Sequence, residues 1–402
     1  MPRPGRLGRR GSFWVSTLVL ALCLWSSGSP SVLYPSYARE WDLSPVVITT
    51  VFGAYPLVLL LALLVVGDLS DVIGRRRTML LGIALISVSA VAFSFADGIA
   101  LLYVGRALQG LGTALALGAA SASLVDNNVS GNPRVPSSLT TVSTATGLTL
   151  SLLLSGALAQ YAPLPLQLSF WVLAVVGIAT LALLAVTRDD RPAGARRWRP
   201  RLPHVPSGLR RAYASATLAV TVAYAVGALV LSLGAQMVRE LTGTTDLLVT
   251  GSVLALSAIV IGSTALAIQR VPAHTAIVIG AVVAIVSLGL LEWTAASGSL
   301  PLFFAFAVVS GIGYSLSFSG GLALVGRAAP AEHRGSMISA VYLLSYLGQA
   351  VTAVVAGALA TALGLEASID LVAPAVAVVC VAAGVVALVD LRSRRSARLV
   401  SA

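Results

Sequence analysis

The sequence predicts an all-α integral membrane fold of twelve transmembrane helices in two pseudo-symmetric six-helix bundles. Three observations predict it: charge is scarce, apolar runs of spanning length recur twelve times, and nearly all the arginine falls in alternate loops. The 402 residues are 57% hydrophobic and only 10% charged, with a mean hydropathy of +0.93. A soluble domain carries about 25% charged residues because its surface faces water. A chain this poor in charge cannot cover a globule of its size with polar groups, so its surface faces lipid.

Each span follows from run length, since crossing takes about 20 predominantly apolar residues. The chain opens on Arg3, Arg6, Arg9 and Arg10 before an apolar run from Phe13. That start imitates a secretory signal, but the run is long and more spans follow, so an uncleaved first helix is expected. Spans fall near 13–35, 45–66, 78–96, 99–125, 136–160 and 166–187. They resume near 212–238, 246–268, 274–294, 300–325, 335–363 and 370–390. Between the sets lies 188–211, RDDRPAGARRWRPRLPHVPSGLRR, whose proline, glycine and charge mark a linker. The expected organisation is an N-terminal bundle over 1–187, a cytoplasmic basic linker over 188–211 and a C-terminal bundle over 212–402.

Charge placement orients the chain. All basic residues are Arg, and with the N-terminus inside, all but Arg39, Arg106 and Arg239 of the 26 fall in cytoplasmic segments. That bias is the positive-inside rule, and it places both termini of a multi-pass membrane protein in the cytoplasm. The net charge of +11 is therefore a topology signal. A nucleic-acid module would gather its arginines on one face among aromatics, so no nucleic-acid partner is expected. The linker lies against anionic headgroups, making lipid the macroscopic partner. Cys23 and Cys380 sit in apolar runs and read as buried small hydrophobes, with no metal-ligand spacing and no implied cofactor.

The two halves look related. Gln109-Gly110-Leu111-Gly112 in span four has a counterpart in Ser310-Gly311-Ile312-Gly313 of span ten, and Arg134 and Arg334 follow in the next loops. Two repeats of like topology are a transporter signature, with the site expected at their interface near the midplane.

The loop between spans two and three reads Gly67-Asp68-Leu69-Ser70-Asp71-Val72-Ile73-Gly74-Arg75-Arg76-Arg77. Gly67 allows helices to approach, Gly74 permits a turn that a Cβ would hinder, and Asp71 and Arg75 are four apart, close enough to pair. Topology alone does not need two acids and two glycines at fixed spacing. This segment resembles the signature G-x-L-a-D-r-x-G-R-r of the major facilitator superfamily, and the span count and central linker extend the resemblance over the whole chain. It implies a charge relay of Asp71 and Arg75 with Asp126 at the end of span four. In the second half the equivalent loop has lost the pattern, and His274 there reads as a loop residue in preference to a proton carrier.

Arg106-Ala-Leu-Gln109-Gly110-Leu-Gly112 in span four resembles the family's R-x-x-q-G-x-g, found in its proton-coupled antiporters. An arginine at mid-helix costs about 2.5–3.5 kcal/mol on insertion scales, so Arg106 is expected to face a wet cavity, the alternative being snorkelling to the outer interface. Span five departs from the drug antiporters: Ser151-Leu152 stands where they carry Gly-Pro, while Gly147 and Ser155-Gly156 keep the small residues that allow close packing. The resemblance points to the twelve-helix bacterial drug and metabolite efflux branch, arabinose-efflux-permease-like proton antiporters.

Polar and aromatic residues on apolar helices are the candidate cavity lining. They are Trp25, beside a Ser-rich stretch that Pro30 must break, then Tyr55, Arg106 and Gln109 in the first half. In the second half they are Tyr224, Gln236, Tyr314, Tyr342, Tyr346 and Gln349, the last three at helical spacing on one face. All fifteen acidic residues fall in loops or near span ends. A lipophilic cation would need a buried counter-charge, so the expected cargo is a small neutral or weakly anionic amphipathic molecule. The reading is of a monomeric exporter with a small-molecule substrate and the proton as coupling ion; an importer or facilitator of a nutrient shares the same fold. A membrane enzyme is not expected, since His204, His274 and His333 lie in loops and no triad or metal spacing occurs.

Overall fold

The computed structural model describes residues 7–66, 69–132, 134–187, 205 and 207–400. The expected motif residue Gly67, its neighbour Asp68 and most of the expected linker (188–204 and 206) lie outside the described residues.

The first half contains α1 (Arg9–Gly28), α2 (Tyr34–Glu40), α3 (Pro45–Val66), α4 (Leu69–Ile73), α5 (Arg75–Ser94), α6 (Ile99–Asp126), α7 (Arg134–Tyr161) and α8 (Leu168–Ala185). The second begins at α9 (Arg210–Ala228), passes through a π-helical stretch (Leu229–Leu233) into α10 (Gly234–Thr242), and continues as α11 (Leu247–Ala267) and α12 (Ala273–Ser297). It ends with α13 (Leu300–Ala328), α14 (Ala331–Leu363) and α15 (Leu365–Val400). Twelve stretches among the described residues are long and apolar enough to cross a membrane, with α9 to α10 counting as one. All backbone polar groups of a span must be satisfied within it, which is why apolar runs of this length become helices.

Local chemistry sets the breaks. Pro30 has no N–H to continue the helix, so α1 ends at Gly28 and the chain turns before α2, which carries Pro35 in its first turn. Gly74 adopts φ 91°, ψ 149°, a conformation that strains any side chain, and so separates α4 from α5. Gly243 and Gly298 end α10 and α12 in the left-handed region.

The chain divides into two compact units, Met1–Leu43 with Ala54–Arg201 and Asp246–Ala258 in the first, and Ser44–Gly53 with Leu202–Thr245 and Ile259–Ala402 in the second. The start of α3 thus belongs to the second unit, where the Val46 N–H donates to Thr361 Oγ1 at 2.9 Å. The start of α11 belongs to the first, where the Leu247 N–H donates to Gln160 Oε1 at 2.8 Å.

Both units use the same packing scheme. In the first, α1 packs on α6 and α7, and α5 packs on α6 and α8. In the second, α9 packs on α13 and α14, and α12 packs on α13 and α15. Spans one, three, four, five and six therefore meet as do spans seven, nine, ten, eleven and twelve. The weak Gly repeat in the sequence belongs to a repeat in the packing of these five spans.

Candidate functional site

In the first unit the polar centre is Arg106. It shares one face of α6 with Gln109, a turn away, and is fully buried. Its Nη1 donates to the Ser27 carbonyl and to Gln109 Oε1, each at 3.0 Å, and its Cζ lies 4.8 Å from the centroid of the Tyr55 ring. The guanidinium is turned inward, not out to the surface. Those three partners are neutral: a carbonyl, an amide oxygen and a ring face. Gly110 makes the arrangement possible, since a Cβ there would stand 2.6 Å from the Tyr55 carbonyl oxygen. Without a side chain at Gly110, α6 seats against the α3 backbone and Tyr55 is held over the charge.

Around this centre the Tyr34 hydroxyl and Gln109 Nε2 are buried without a hydrogen-bond partner. Buried polar groups are normally satisfied, so these are groups able to bind something polar. Ser26, Ser29 and Ser31 are buried nearby in sequence, on the turn that Pro30 imposes. Trp25 is only half-buried, and its carbonyl accepts from the Ser29 hydroxyl at 2.9 Å. Tyr34 was not singled out by the sequence; it follows the Pro30 break, which was the available signal.

In the second unit Tyr224, Tyr314, Tyr342 and Tyr346 come together with Phe318, which sequence reading passed over. Tyr224 lies 4.7 Å from Tyr346 and 5.9 Å from Phe318, centroid to centroid. Tyr314 is 5.9 Å from Phe318, and Tyr342 is 5.9 Å from Tyr346. Three helices, α9, α13 and α14, supply these rings, packed on Val220, Val325 and Val341. Gln349 adds a buried Oε1 without a hydrogen-bond partner one turn beyond Tyr346 on α14. Gln236 does not join them in any ring or hydrogen-bond contact; its amide donates to Glu240 Oε1 at 2.8 Å on the exposed side of α10.

At the arginine-bearing end of the first unit, Arg75 Nε meets Asp126 Oδ2 at 3.0 Å. Asp71 is exposed and takes no part in this pair. The four-residue spacing does not bring Asp71 onto Arg75, because the expected turn at Gly74 takes α5 off the line of α4. The same end is knitted further. Arg9 Nη2 donates to the Asp126 carbonyl at 2.9 Å, Arg76 donates to the carbonyls of Leu184 and Ala185, and the Leu7 N–H donates to the Val186 carbonyl at 2.7 Å.

One expectation is corrected. His274 is not a loop residue but the second residue of α12, and its Nε2 lies 2.8 Å from Asp390 Oδ2 on α15. Asp390, read as one more span-end acid, is 3% exposed.

A repeated pair of packed helical units and twelve apolar spans among the described residues, with polar groups buried within them, define a multi-pass membrane protein. The chain belongs to the Major Facilitator Superfamily, whose sequence profile matches residues 13–293 and 216–400. Among curated relatives it is 31% identical over 163 residues to the Multidrug resistance protein MdtL of Escherichia coli, covering 40% of each chain. It is 31% identical over 156 residues to the Lincomycin resistance protein of Streptomyces lincolnensis, covering 38% of this chain and 32% of that one. A match to the Uncharacterized MFS-type transporter EfpA of Mycobacterium tuberculosis reaches 32% identity over 130 residues, 32% of this chain and 24% of the relative. The chain thus spans a quarter to two fifths of the length of these relatives. Solved structures share the fold. A bacterial homolog to the human lysosomal transporter Spinster superposes with a TM-score of 0.74 at 14% identity, over 98% of both chains. A variant of the peptide transporter POT gives 0.75 at 17% identity, over 94% of this chain and 93% of that one.

Proposed function

We propose that this transporter exports a small neutral or weakly anionic amphipathic compound, a drug or a metabolite, by alternating access in exchange for protons. It works as a monomer in the bacterial inner membrane with both termini in the cytoplasm, without a cofactor and without enzymatic chemistry. The observation that carries the cargo class is the buried Arg106 set. A guanidinium held by Ser27, Gln109 and the Tyr55 face offers donors and positive charge, which suits an acceptor-rich or weakly anionic group. A cationic cargo would instead need a buried carboxylate, and the described acids of the first unit stand in turns or near helix ends. The tyrosine cluster of the second unit suits flat apolar surface with hydroxyl-bearing edges.

Export is supported by the Arg106-x-x-Gln109-Gly110 pattern and by relatives whose names record drug and lincomycin resistance. Orientation is supported by arginine placement. The test is expression in a host stripped of its own pumps, with a compound panel and Arg106→Ala alongside. Resistance that the substitution abolishes supports the proposal. Unchanged susceptibility together with faster uptake of a labelled nutrient would replace export with import.

A further inference from the structure

Two buried tyrosines stand one turn apart on α2 and fare differently. The Tyr37 hydroxyl donates to the Leu166 carbonyl at 3.2 Å. Tyr34 is 2% exposed, yet its hydroxyl has no hydrogen-bond partner. Gln109 on α6 is in the same position. A guanidinium only donates, so the Gln109 amide turns its oxygen to Arg106 Nη1 at 3.0 Å and keeps Nε2 for another acceptor. That Nε2 is buried and has no partner. Leaving a buried donor unsatisfied is costly, and folded proteins seldom keep one without a use.

Both donors stand in a positive field. The Arg106 guanidinium acts electrostatically on Tyr34 and bonds Gln109 directly. Its contacts with Ser27, Gln109 and the Tyr55 ring stay as they are; what it contributes is charge. The described acids of the first unit lie elsewhere. Glu40, Asp42, Asp71, Asp97 and Asp126 are exposed, and Asp246 accepts from the Leu248 and Val249 N–H groups at the start of α11. The second unit lacks the feature. In the repeat Gln109 corresponds to Ser310, whose hydroxyl is satisfied by the Ala307 carbonyl at 3.1 Å, and Arg106 corresponds to Ala307 itself.

We propose that the Tyr34 hydroxyl and Gln109 Nε2, in the field of Arg106, bind a small monovalent inorganic anion of the halide class. The ion accepts from both donors, and no covalent bond or proton moves. A water molecule could also accept from them, but it carries no charge to match the field. Tyr34, Arg106 and Gln109 are 0–2% exposed, which favours an ion of one atom over a larger oxyanion. Competition between this ion and the cargo rests on the cargo class read above; the site itself does not.

The test uses the full chain in lipid nanodiscs with no cargo added. Thermal unfolding is followed as chloride replaces gluconate from about 1 to about 300 mM at constant sodium, since an ion bound only by the folded state raises the midpoint by mass action. The parent chain should show a saturable rise, which bromide reproduces. Tyr34→Phe removes a hydroxyl that bonds nothing else in the protein, so the variant should fold as well as the parent. Its chloride concentration for half the rise should increase at least about tenfold, the loss of one hydrogen bond to a charged group. Arg106→Met should abolish the rise, and Asp126→Asn at the far end of α6 should keep it. Equal midpoints in chloride and gluconate, as for an uncharged water, would overturn the proposal. So would an unchanged chloride response in Tyr34→Phe, or one that survives in Arg106→Met. Because no cargo is present, a failure here leaves the transport reading standing, and a failure of export leaves this site standing.

Discussion

Replacing Arg106 by Met separates a transport role from a structural one. The side chains are of similar length, so the cavity term is small. The losses include two hydrogen bonds from Nη1, at 3.0 Å each, and the ring contact at 4.8 Å. Hydrogen bonds inside membrane bundles average about 0.6 kcal/mol and reach about 1.7, so the two contribute roughly 1–3 kcal/mol. A desolvated cation–π contact adds about 2 kcal/mol. Against this stands relief of the roughly 2.5–3.5 kcal/mol that a mid-span arginine costs. The balance is a destabilisation of about 0–2 kcal/mol. Stability in detergent, followed by thermal unfolding, should therefore change little, while efflux in the pump-deficient host falls at least about tenfold. Arg106→Lys should also lose efflux, because an ammonium cannot contact Ser27, Gln109 and the Tyr55 face in the same fork geometry. Unfolding that worsens by more than about 4 kcal/mol would make Arg106 a structural anchor. Wild-type efflux in Arg106→Met would remove it from the transport path.

Gly110→Ala places a Cβ 2.6 Å from the Tyr55 carbonyl and 2.9 Å from the Leu59 nitrogen, both backbone atoms that cannot move cheaply. A loss of about 1–3 kcal/mol is expected in thermal unfolding, and a neutral result would mean that α3 and α6 are not in close contact. Tyr224→Ala should cost about 3–5 kcal/mol because its ring meets those of Tyr314, Phe318 and Tyr346, whereas Tyr224→Phe should cost less than about 1.5 kcal/mol. Equal losses in the two variants would place the stabilisation in the hydroxyl. Asp126→Asn breaks a pair whose side chains are 25% and 52% exposed, so stability should move by no more than about 1 kcal/mol. Its effect is expected instead in the thiol accessibility of cysteines introduced along the pathway; unchanged accessibility would count against a role for this charge relay in gating.

The spans were legible because run length and arginine placement are local properties. So was the break at Pro30, since a missing N–H acts on its own helix. Tyr342 and Tyr346 were visible as neighbours for the same reason, one turn apart on α14. Tyr224 and Phe318 complete that cluster from α9 and α13, and no period within one helix announces such a meeting. The Asp71–Arg75 spacing misled because a single glycine with φ 91° takes the two residues off a common helix. His274 and Asp390 are 116 positions apart, and only the packing of α12 on α15 joins them.

The π stretch at Leu229–Leu233 has a consequence for anyone comparing relatives. It accommodates one more residue than an α-helix of the same height, and each residue turns an α-helix by about 100°. Every side chain beyond Leu233 is therefore rotated relative to a regular span seven, which is how Met237, Val238 and Leu241 come to be buried while Glu240 is exposed. Aligning this chain without a gap to a homologue lacking the extra residue would equate inward positions with outward ones from Gly234 to Thr242. Substitutions transferred from such an alignment would be made on the wrong face.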